Sequence, residues 1–276
     1  MSNCKTKKLL VLLTIYSVLS MAGCGQDNKN APEPTTLPQV TNAPEHTATP
    51  VPTKEPTPTP TIVPGEEWKS NLGTIDLSNL RVSGTGVTVN GTTIRITSGG
   101  DFTVTGTLAE GKIVISTTDR VKLRLSGASL TCSNDSAIFV EQADKAFITV
   151  SDGTTNTISS EGTEEAAIYS KDDLEIKGYG TLNIVSKLSH GIKASDDLNV
   201  ENGTLIITSA KDGIHTNETC DISGGNITIT ASKDGIESEE NLIIRGGNIT
   251  ITAKKQAYTA VGELNVDESK ATITIK

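Results

Sequence analysis

Apolar residues alternate with polar ones over most of the second half of the chain. Ile227 and Ile229 are separated by threonine, and Ile249 and Ile251 repeat this arrangement 22 residues later. A period of two residues is typical of β-strands. Glycine pairs such as Gly224-Gly225 interrupt the alternation and favour tight turns with positive φ angles. The pattern therefore predicts many short strands separated by turns, with no long amphipathic helix after residue 66.

This strand pattern repeats with a nearly fixed period. Each repeat contains three short strands and opens on an apolar residue, and the steps between successive openings are 24, 22, 22 and 22 residues. These leading residues are Ile168, Ile192, Ile214, Ile236 and Tyr258. A fixed period of this length is typical of a solenoid in which each unit covers the open face of its neighbour. We predict an all-β fold, a parallel β-helix with about 22 residues per coil and adjacent strands about 4.8 Å apart.

Residues 1–23 have the pattern of a bacterial lipoprotein signal peptide. Three lysines precede an apolar stretch from Leu9 to Met21, which is short for a transmembrane helix. The stretch ends at Met21-Ala22-Gly23-Cys24, which resembles a lipobox with methionine where leucine is commonest. We predict lipidation at Cys24 and anchoring at the extracellular face of the cell membrane. Ordinary cleavage without lipidation is the alternative.

The next segment, residues 24–65, is rich in proline and threonine. All ten prolines of the chain lie between Pro32 and Pro64. Such sequence favours an extended polyproline II conformation of about 3.1 Å per residue. We predict a lipidated cysteine followed by a disordered linker over residues 24–65, and the β-helix domain over residues 66–276.

Charge and cysteine content limit the possible partners. The net charge of −9 becomes about −12 once the three lysines of the signal peptide are removed. The chain has no basic cluster that would suit a nucleic acid.

Cys220 occupies the position that leucine takes in the other repeats, so we expect it to be a buried, reduced core residue, and we expect the same of Cys132. A disulfide between them would have to link distant coils, and we expect none.

Acidic residues form columns when the repeats are stacked. Two residues before the leading position lie His190, Asp212 and Asp234, and four residues after it lie Asp172, Asp196, Glu218 and Glu240. Like charges one strand apart repel, so nearby lysines, protonation or a bound cation must offset them. Clusters of carboxylates suit Ca²⁺. The alternative is that these acids are hydrated turn residues.

Residues suited to catalysis or to sugar stacking are few. His190 and His215 have no nucleophile–base partner in their columns, and histidines in such settings are more often structural. A calcium-assisted lyase would need a strong base, usually arginine or lysine, beside its metal. Arg245 is the arginine considered for this role, but it is expected on the surface. Tyr169 is expected to point outwards and Tyr179 to lie at a turn, where they make a thin platform for a sugar. We predict no catalytic site.

Several motifs together resemble one known family, the carbohydrate-binding domain family of clostridial secreted proteins. They are Ser136-Ala-Ile, Ala143–Val150, Asp152-Gly-Thr, Ala167–Leu174 and the Asp-Gly-Ile repeats, and the resemblance covers about residues 74–276. It implies a right-handed, polysaccharide-lyase-like parallel β-helix that binds plant cell-wall polysaccharide and calcium. It also makes the acids of the Asp-Gly-Ile and Lys-Asp-Asp-Leu motifs the candidate calcium ligands, namely Asp172, Asp173, Asp196, Asp197, Asp212 and Asp234.

The combined expectation is a surface-tethered, non-catalytic polysaccharide-binding module for cellulose or a pectin-like polymer such as polygalacturonate. A calcium ion held by Asp212 and Asp234 could accept a uronate carboxylate. Two alternatives remain: a pectate-lyase-like enzyme, and a cell-wall spacer or adhesin with a protein partner. The chain differs from the family pattern at Ile275-Lys276, where the family would lead one to expect further repeats. We therefore expect the last strands to present an open edge.

Overall fold

The computed structural model describes residues 65–276, and this part of the chain is almost entirely β-structure. A short 3-10 helix, Glu67–Ser70, precedes 25 strands. In chain order the strands are β1 (Leu72–Asp76), β2 (Arg81–Ser83), β3 (Val87–Asn90), β4 (Thr93–Ile96), β5 (Gly100–Leu108), β6 (Lys112–Ser116), β7 (Arg120–Cys132), β8 (Ile138–Gln142), β9 (Lys145–Val150), β10 (Thr155–Ser160), β11 (Ala166–Ser170), β12 (Leu174–Gly178), β13 (Thr181–Ser186), β14 (His190–Ala194), β15 (Leu198–Val200), β16 (Thr204–Ser209), β17 (Ile214–Thr216), β18 (Cys220–Ile222), β19 (Asn226–Ala231), β20 (Ile236–Ser238), β21 (Leu242–Ile244), β22 (Gly247–Ala253), β23 (Tyr258–Ala260), β24 (Leu264–Val266) and β25 (Ala271–Ile275).

The strands stack into three faces. The first face has the order β23-β20-β17-β14-β11-β8-β6-β4-β3. The second face is β24-β21-β18-β15-β12-β9, and the third is β10-β13-β16-β19-β22-β25. The long strand β7 pairs with β9 and with β10, so it joins the second face to the third. All pairings are parallel except those of β1 with β2 and of β3 with β4, which confirms the predicted parallel β-solenoid.

One residue in each coil occupies the leading position of the first face. The solenoid has about eight turns of about 23 residues, close to the predicted period. The predicted leading residues Ile168 to Tyr258 pair in register, and the ladder continues backwards to Ile138, Ile113 and Ile94. Coil lengths vary in this earlier part, which is why the sequence repeat is not recognisable there.

A single apolar core runs through the solenoid. Alternate residues of each strand point inwards, and the leading isoleucines are fully buried. Cys220 is fully buried between Leu198 and Leu242 of the neighbouring coils, and both Cys220 and Cys132 are free thiols. Tyr258 packs against the core but stays partly exposed, because it belongs to the last coil and only one neighbour covers it. The expectation of buried, reduced cysteines is confirmed.

Tight glycine turns connect the second face to the third. Gly178, Gly203, Gly225 and Gly247 stack in consecutive coils with φ angles of 113°, 102°, 101° and 99°. A Cβ atom on Gly203 would lie 2.7 Å from the carbonyl oxygen of Gly178. Only glycine permits both this conformation and this close approach of adjacent coils.

The predicted signal peptide, the lipidation site Cys24 and almost all of the linker lie outside the described residues. Within residues 65–276 no helix is long and apolar enough to cross a membrane.

Cys220 provides a test of the register of the whole solenoid. Burial raises the pKa of its thiol to about 12, so almost no thiolate exists at neutral pH. We expect Cys220 to resist thiol reagents in the native protein and to react rapidly after denaturation, as measured by peptide mapping. Thr230→Cys is the matched control, because Thr230 points outwards from the adjacent strand and should react at once.

Cys220→Asp should destabilise the fold by about 3–5 kcal/mol, because it places a charge in the dry core. Chemical denaturation measures this change. Rapid native labelling of Cys220, or a fully stable Cys220→Asp variant, would contradict the register.

Candidate functional site

The predicted site residues fall at separate places on the solenoid. Asp212 and Asp234 immediately precede first-face strands β17 and β20. The other predicted metal ligands form the turn that follows the first-face strands. We call that group the acid edge; it consists of Asp172, Asp173, Asp196, Asp197, Glu218 and Glu240. Tyr169 lies on β11, whereas Tyr179 lies in the turn after β12. The structure therefore separates the two columns of acids and also the two tyrosines.

Asp212 is completely buried, and its carboxylate is held by the next coil. Its Oδ1 accepts a hydrogen bond of 2.8 Å from the amide of Asp234. The Oδ1 of Asp234 accepts in the same way from the amide of Gln256, at 2.7 Å. Each carboxylate thus binds the backbone of the following coil, and this charge-assisted ladder offsets part of the repulsion between the stacked acids.

Lys233 supplies a positive charge to these acids. Its Nζ lies 3.0 Å from Oδ2 of Asp212 and 2.8 Å from Oε2 of Glu237. Burial lowers the pKa of Lys233, but its hydrogen bonds to Glu237 and Asp212 outweigh burial and raise that pKa above its usual range. Lys211 and Lys255 hold the same position in the adjacent coils, are exposed, and form no ion pair within residues 65–276. Of these three lysines, Lys233 is therefore the one that forms ion pairs with the acids of this site.

Two histidines complete the group, which we call the Asp212 cluster: His190, Asp212, His215, Lys233, Asp234 and Glu237. The Nδ1 of His190 lies 3.1 Å from Oδ2 of Asp212. The Nδ1 of His215 lies 3.8 Å from the same oxygen and 3.2 Å from Oε2 of Glu237. The two imidazole centroids are 4.9 Å apart.

Protonation in the Asp212 cluster follows from burial and contacts. Burial opposes ionisation of Asp212, but contacts from His190, the Asp234 amide and Lys233 hold its pKa well below the usual range. Burial lowers the pKa of His190, and this effect outweighs the opposing influence of Asp212. At neutral pH the cluster therefore combines an ionised Asp212 with a neutral His190 imidazole.

The sequence columns did not show that the histidines converge. His190 belongs to the column of Asp212, but His215 belongs to an outward column of the first face, one residue after Ile214. The alternation of inward and outward residues along β17 could predict only that His215, which follows the buried Ile214, lies on the outer side of the strand. The alternation could not predict that the imidazole of His215 approaches the carboxylate of Asp212 to 3.8 Å.

The acid edge has backbone donors at two residues but no paired cation in the described part of the chain: Oδ2 of Asp172 accepts from the amide of Ala143 at 2.8 Å, and Oδ1 of Asp197 accepts from the amide of Thr219 at 3.0 Å. The turn that carries it is fixed from inside, where Ser238 Oγ donates to the carbonyl oxygen of Glu218 at 2.6 Å. Within residues 65–276, no acid-edge residue forms an ion pair with lysine, arginine or histidine, and no three of their carboxylates lie within 4.8 Å of one another. Burial and then neighbouring carboxylates raise the pKa of Asp173 and of Asp196. Repulsion from Asp196 also raises the pKa of Glu218.

Tyr169 points outwards as predicted, but its ring is already engaged. It stacks on Phe139 with ring centroids 5.3 Å apart and an interplanar angle of 16°. The Nζ of Lys193 lies 5.9 Å from the centroid of Tyr169, and the Tyr169 hydroxyl lies 3.3 Å from Oγ of Ser195. These contacts leave little of the ring free to stack on a ligand.

Tyr179 is free and borders a groove. It is 75% exposed. The groove beside it has a volume of about 350 Å³ and is lined by the turn glycines, Thr204 and three asparagines, with no charged residue. It crosses four successive coils. Asn248 donates from Nδ2 to Oδ1 of Asn226 at 3.0 Å, so these two asparagines are paired along the groove.

Lys233 is expected to stabilise the protein through Asp212. Lys233→Met leaves the buried carboxylate without its ammonium partner, and we expect a loss of about 1–3 kcal/mol in the free energy of unfolding. Urea denaturation in EDTA measures this loss. Lys211→Met and Lys255→Met are matched controls and should change stability by less than about 0.5 kcal/mol. Equal effects of all three substitutions would show that Lys233 has no special role.

Three comparisons with known proteins agree with this architecture. The family model described as "Carbohydrate-binding domain-containing protein" matches residues 90–276. A relative of that description from Acetivibrio thermocellus is 27% identical over 213 residues, which is 73% of this chain. The chain spans 65% of the length of that relative.

A solved structure has the same fold. It is the polysaccharide lyase-like protein from C. thermocellum, determined as a gadolinium derivative. The TM-score is 0.63 at 26% sequence identity, and the match covers 74% of this chain and 96% of that one. With the family model covering most of its β-solenoid, the chain belongs to the carbohydrate-binding domain-containing protein family.

Proposed function

We propose that the protein is a non-catalytic polysaccharide-binding module and that a neutral glycan chain binds in the groove beside Tyr179. The observation that carries this proposal is the combination of a 75% exposed aromatic ring with an uncharged groove across four coils. Three strand spacings separate these coils, so the groove extends for about 14 Å along the solenoid. A linear polymer parallel to the axis fits such a site.

The groove offers both kinds of contact that a sugar requires. The ring of Tyr179 presents apolar surface to the C–H groups of a pyranose. The amide nitrogen of Asn226 and the amide oxygen of Asn248 form no hydrogen bond within residues 65–276, so both can meet sugar hydroxyls. A few convergent polar groups beside an aromatic surface are typical of a specific ligand site. Cellulose is the neutral polymer that we propose.

We further propose that the acid edge binds calcium and that calcium mediates the binding of acidic polymers such as polygalacturonate. Asp173, Asp196 and Glu218 repel one another: burial and then neighbouring carboxylates raise the pKa values of Asp173 and Asp196, and repulsion from Asp196 is the main cause of the raised pKa of Glu218. Carboxylate oxygens suit Ca²⁺, and water or backbone carbonyls can complete its shell of six to eight ligands. An anionic polymer needs a cation between itself and these acids.

The acid edge is a better calcium candidate than the pair Asp212 and Asp234. In that pair, both Oδ1 atoms accept backbone hydrogen bonds and Lys233 lies against the Oδ2 atom of Asp212. Their charge is therefore already compensated. The acid edge has no comparable cation among residues 65–276.

A lyase activity is the second candidate function, and the Asp212 cluster is the observation that favours it. β-Elimination requires a base that is unprotonated near neutral pH, so that it can take up the proton that the substrate loses. Lys233 is unsuited to this role because its contacts raise its pKa and retain the proton. Absorbance of unsaturated products on polygalacturonate would show a lyase; we expect none.

We propose that the module is tethered to the outer face of the cell membrane through Cys24. The support is the lipobox-like Met21-Ala22-Gly23-Cys24 and the proline-rich linker that follows, both outside the described residues. Membrane fractionation of a Cys24→Ser variant tests the tether, because that variant should be released.

Tyr179→Ala is expected to weaken binding to cellulose about tenfold, or about 1.4 kcal/mol, because it removes the exposed aromatic surface. A pull-down isotherm on insoluble cellulose measures this effect. Tyr169→Ala is the matched control and should change the affinity less than twofold, because the Tyr169 ring is covered by Phe139 and Lys193. A larger loss for Tyr169→Ala than for Tyr179→Ala would place the site on the first face instead.

Calcium is expected to raise the melting temperature of the metal-free protein, since an ion that binds only the folded state stabilises it. Asp196→Asn should remove most of this shift without lowering the metal-free melting temperature, because it relieves repulsion. Glu201→Gln, an exposed acid of the second face, is the charge-matched control and should keep the shift. If Asp196→Asn responds to calcium as the unmodified protein does, the acid edge is not the site.

A further inference from the structure

The nitrogen atoms of two histidines converge on one buried oxygen. The Nδ1 of His190 lies 3.1 Å from Oδ2 of Asp212, and the Nδ1 of His215 lies 3.8 Å from that oxygen. One ligand atom from each residue lies within 4.8 Å of the others. Imidazole and carboxylate bind Zn²⁺ at about 2.0–2.2 Å, so two ligand atoms of one ion lie at most about 4.4 Å apart, and a small adjustment of the side chains brings these three atoms within reach of a single ion.

His190 has an unsatisfied buried atom at this point. The residue is 8% exposed, and its Nδ1 forms no hydrogen bond, because the close approach to Asp212 is poorly aligned. Buried polar atoms are nearly always partnered, and an orphan atom calls for an explanation such as a missing ion. This unpartnered Nδ1 lies 3.1 Å from Oδ2 of Asp212, the oxygen that would be its fellow ligand.

The chemistry of these donors differs from that of a calcium site. Ca²⁺ takes oxygen ligands, whereas two imidazoles with a carboxylate suit Zn²⁺ and other divalent first-row transition metals. The second ring nitrogen of His215 also has a carboxylate beside it, since its Nε2 lies 3.5 Å from Oε1 of Glu239. A carboxylate behind a ligating histidine fixes the ring and its tautomer.

Lys233 marks the position that a cation occupies. Its ammonium contacts Asp212 and Glu237, and Asp234 lies 3.8 Å away. Three carboxylates therefore surround this one ammonium group. The lysine side chain is one-third exposed, so it can turn outwards into water when a divalent ion enters.

We propose that His190, Asp212 and His215 form a binding site for a divalent transition-metal ion of the Zn²⁺ class, and that the ion displaces the ammonium of Lys233. Glu237 lies at the open side, where it or water completes the coordination. This site is distinct from the acid edge, because the two lie at opposite ends of the first-face strands. It is also independent of the proposed glycan groove.

The test uses the full chain, stripped with EDTA and then titrated with Zn²⁺ by calorimetry and with Co²⁺ by visible absorption. The unmodified protein should bind Zn²⁺ and give the absorption bands of a Co²⁺ site with nitrogen ligands. His190→Gln and His215→Gln should each weaken Zn²⁺ binding by at least about 10–100-fold. Asp196→Asn is the matched control and should bind Zn²⁺ normally while losing its calcium response.

Lys233→Met provides an independent measurement if a histidine variant folds poorly. It removes the competing ammonium, so it should bind Zn²⁺ more tightly than the unmodified protein. Unchanged or weaker Zn²⁺ affinity in folded Lys233→Met would overturn the displacement of the lysine. Undiminished Zn²⁺ affinity in the variant lacking both histidines, or no Zn²⁺ binding at all, would overturn the site.

Discussion

In-register stacking of the coils is the constraint on which the rest of the structure depends. Apart from the antiparallel pairs β1–β2 and β3–β4, each strand pairs in parallel with the equivalent strand of the next coil, at about 4.8 Å, so a position in one coil meets its own equivalent in the next. Inside, this produces a continuous column of isoleucine and leucine. Outside, it places like charges next to one another, and the protein must offset that repulsion position by position.

The two columns of acids show two different solutions. Asp212 and Asp234 accept backbone amides from the following coil, and Lys233 neutralises what remains. The acid edge also accepts backbone amides, at Asp172 and Asp197, but it pairs with no lysine, arginine or histidine of residues 65–276, and we propose that a bound cation offsets its repulsion. The glycine turns add a third type of surface. They bring adjacent backbones close together and leave an uncharged groove beside Tyr179, in a protein that carries a net negative charge.

Period and alternation are enough to predict the fold and the inward residues. The position of Cys220 in a leucine column was enough to predict its burial, because register along the axis follows directly from the repeat. Lateral contacts are different, since they depend on how each turn bends between faces. The sequence therefore could not show that His215 reaches Asp212, or that Phe139 and Lys193 cover Tyr169 while Tyr179 stays free.

The central claim is that this solenoid binds polysaccharide without cleaving it and uses separate surfaces for neutral and acidic chains. Binding of the full chain to an array of immobilised neutral glucans and polygalacturonates, with calcium and with EDTA, tests it most directly. We predict retention on neutral glucans under both conditions, and retention on polygalacturonate that is lost in EDTA. Absence of binding to every glycan, or release of unsaturated sugars from the array, would contradict the claim.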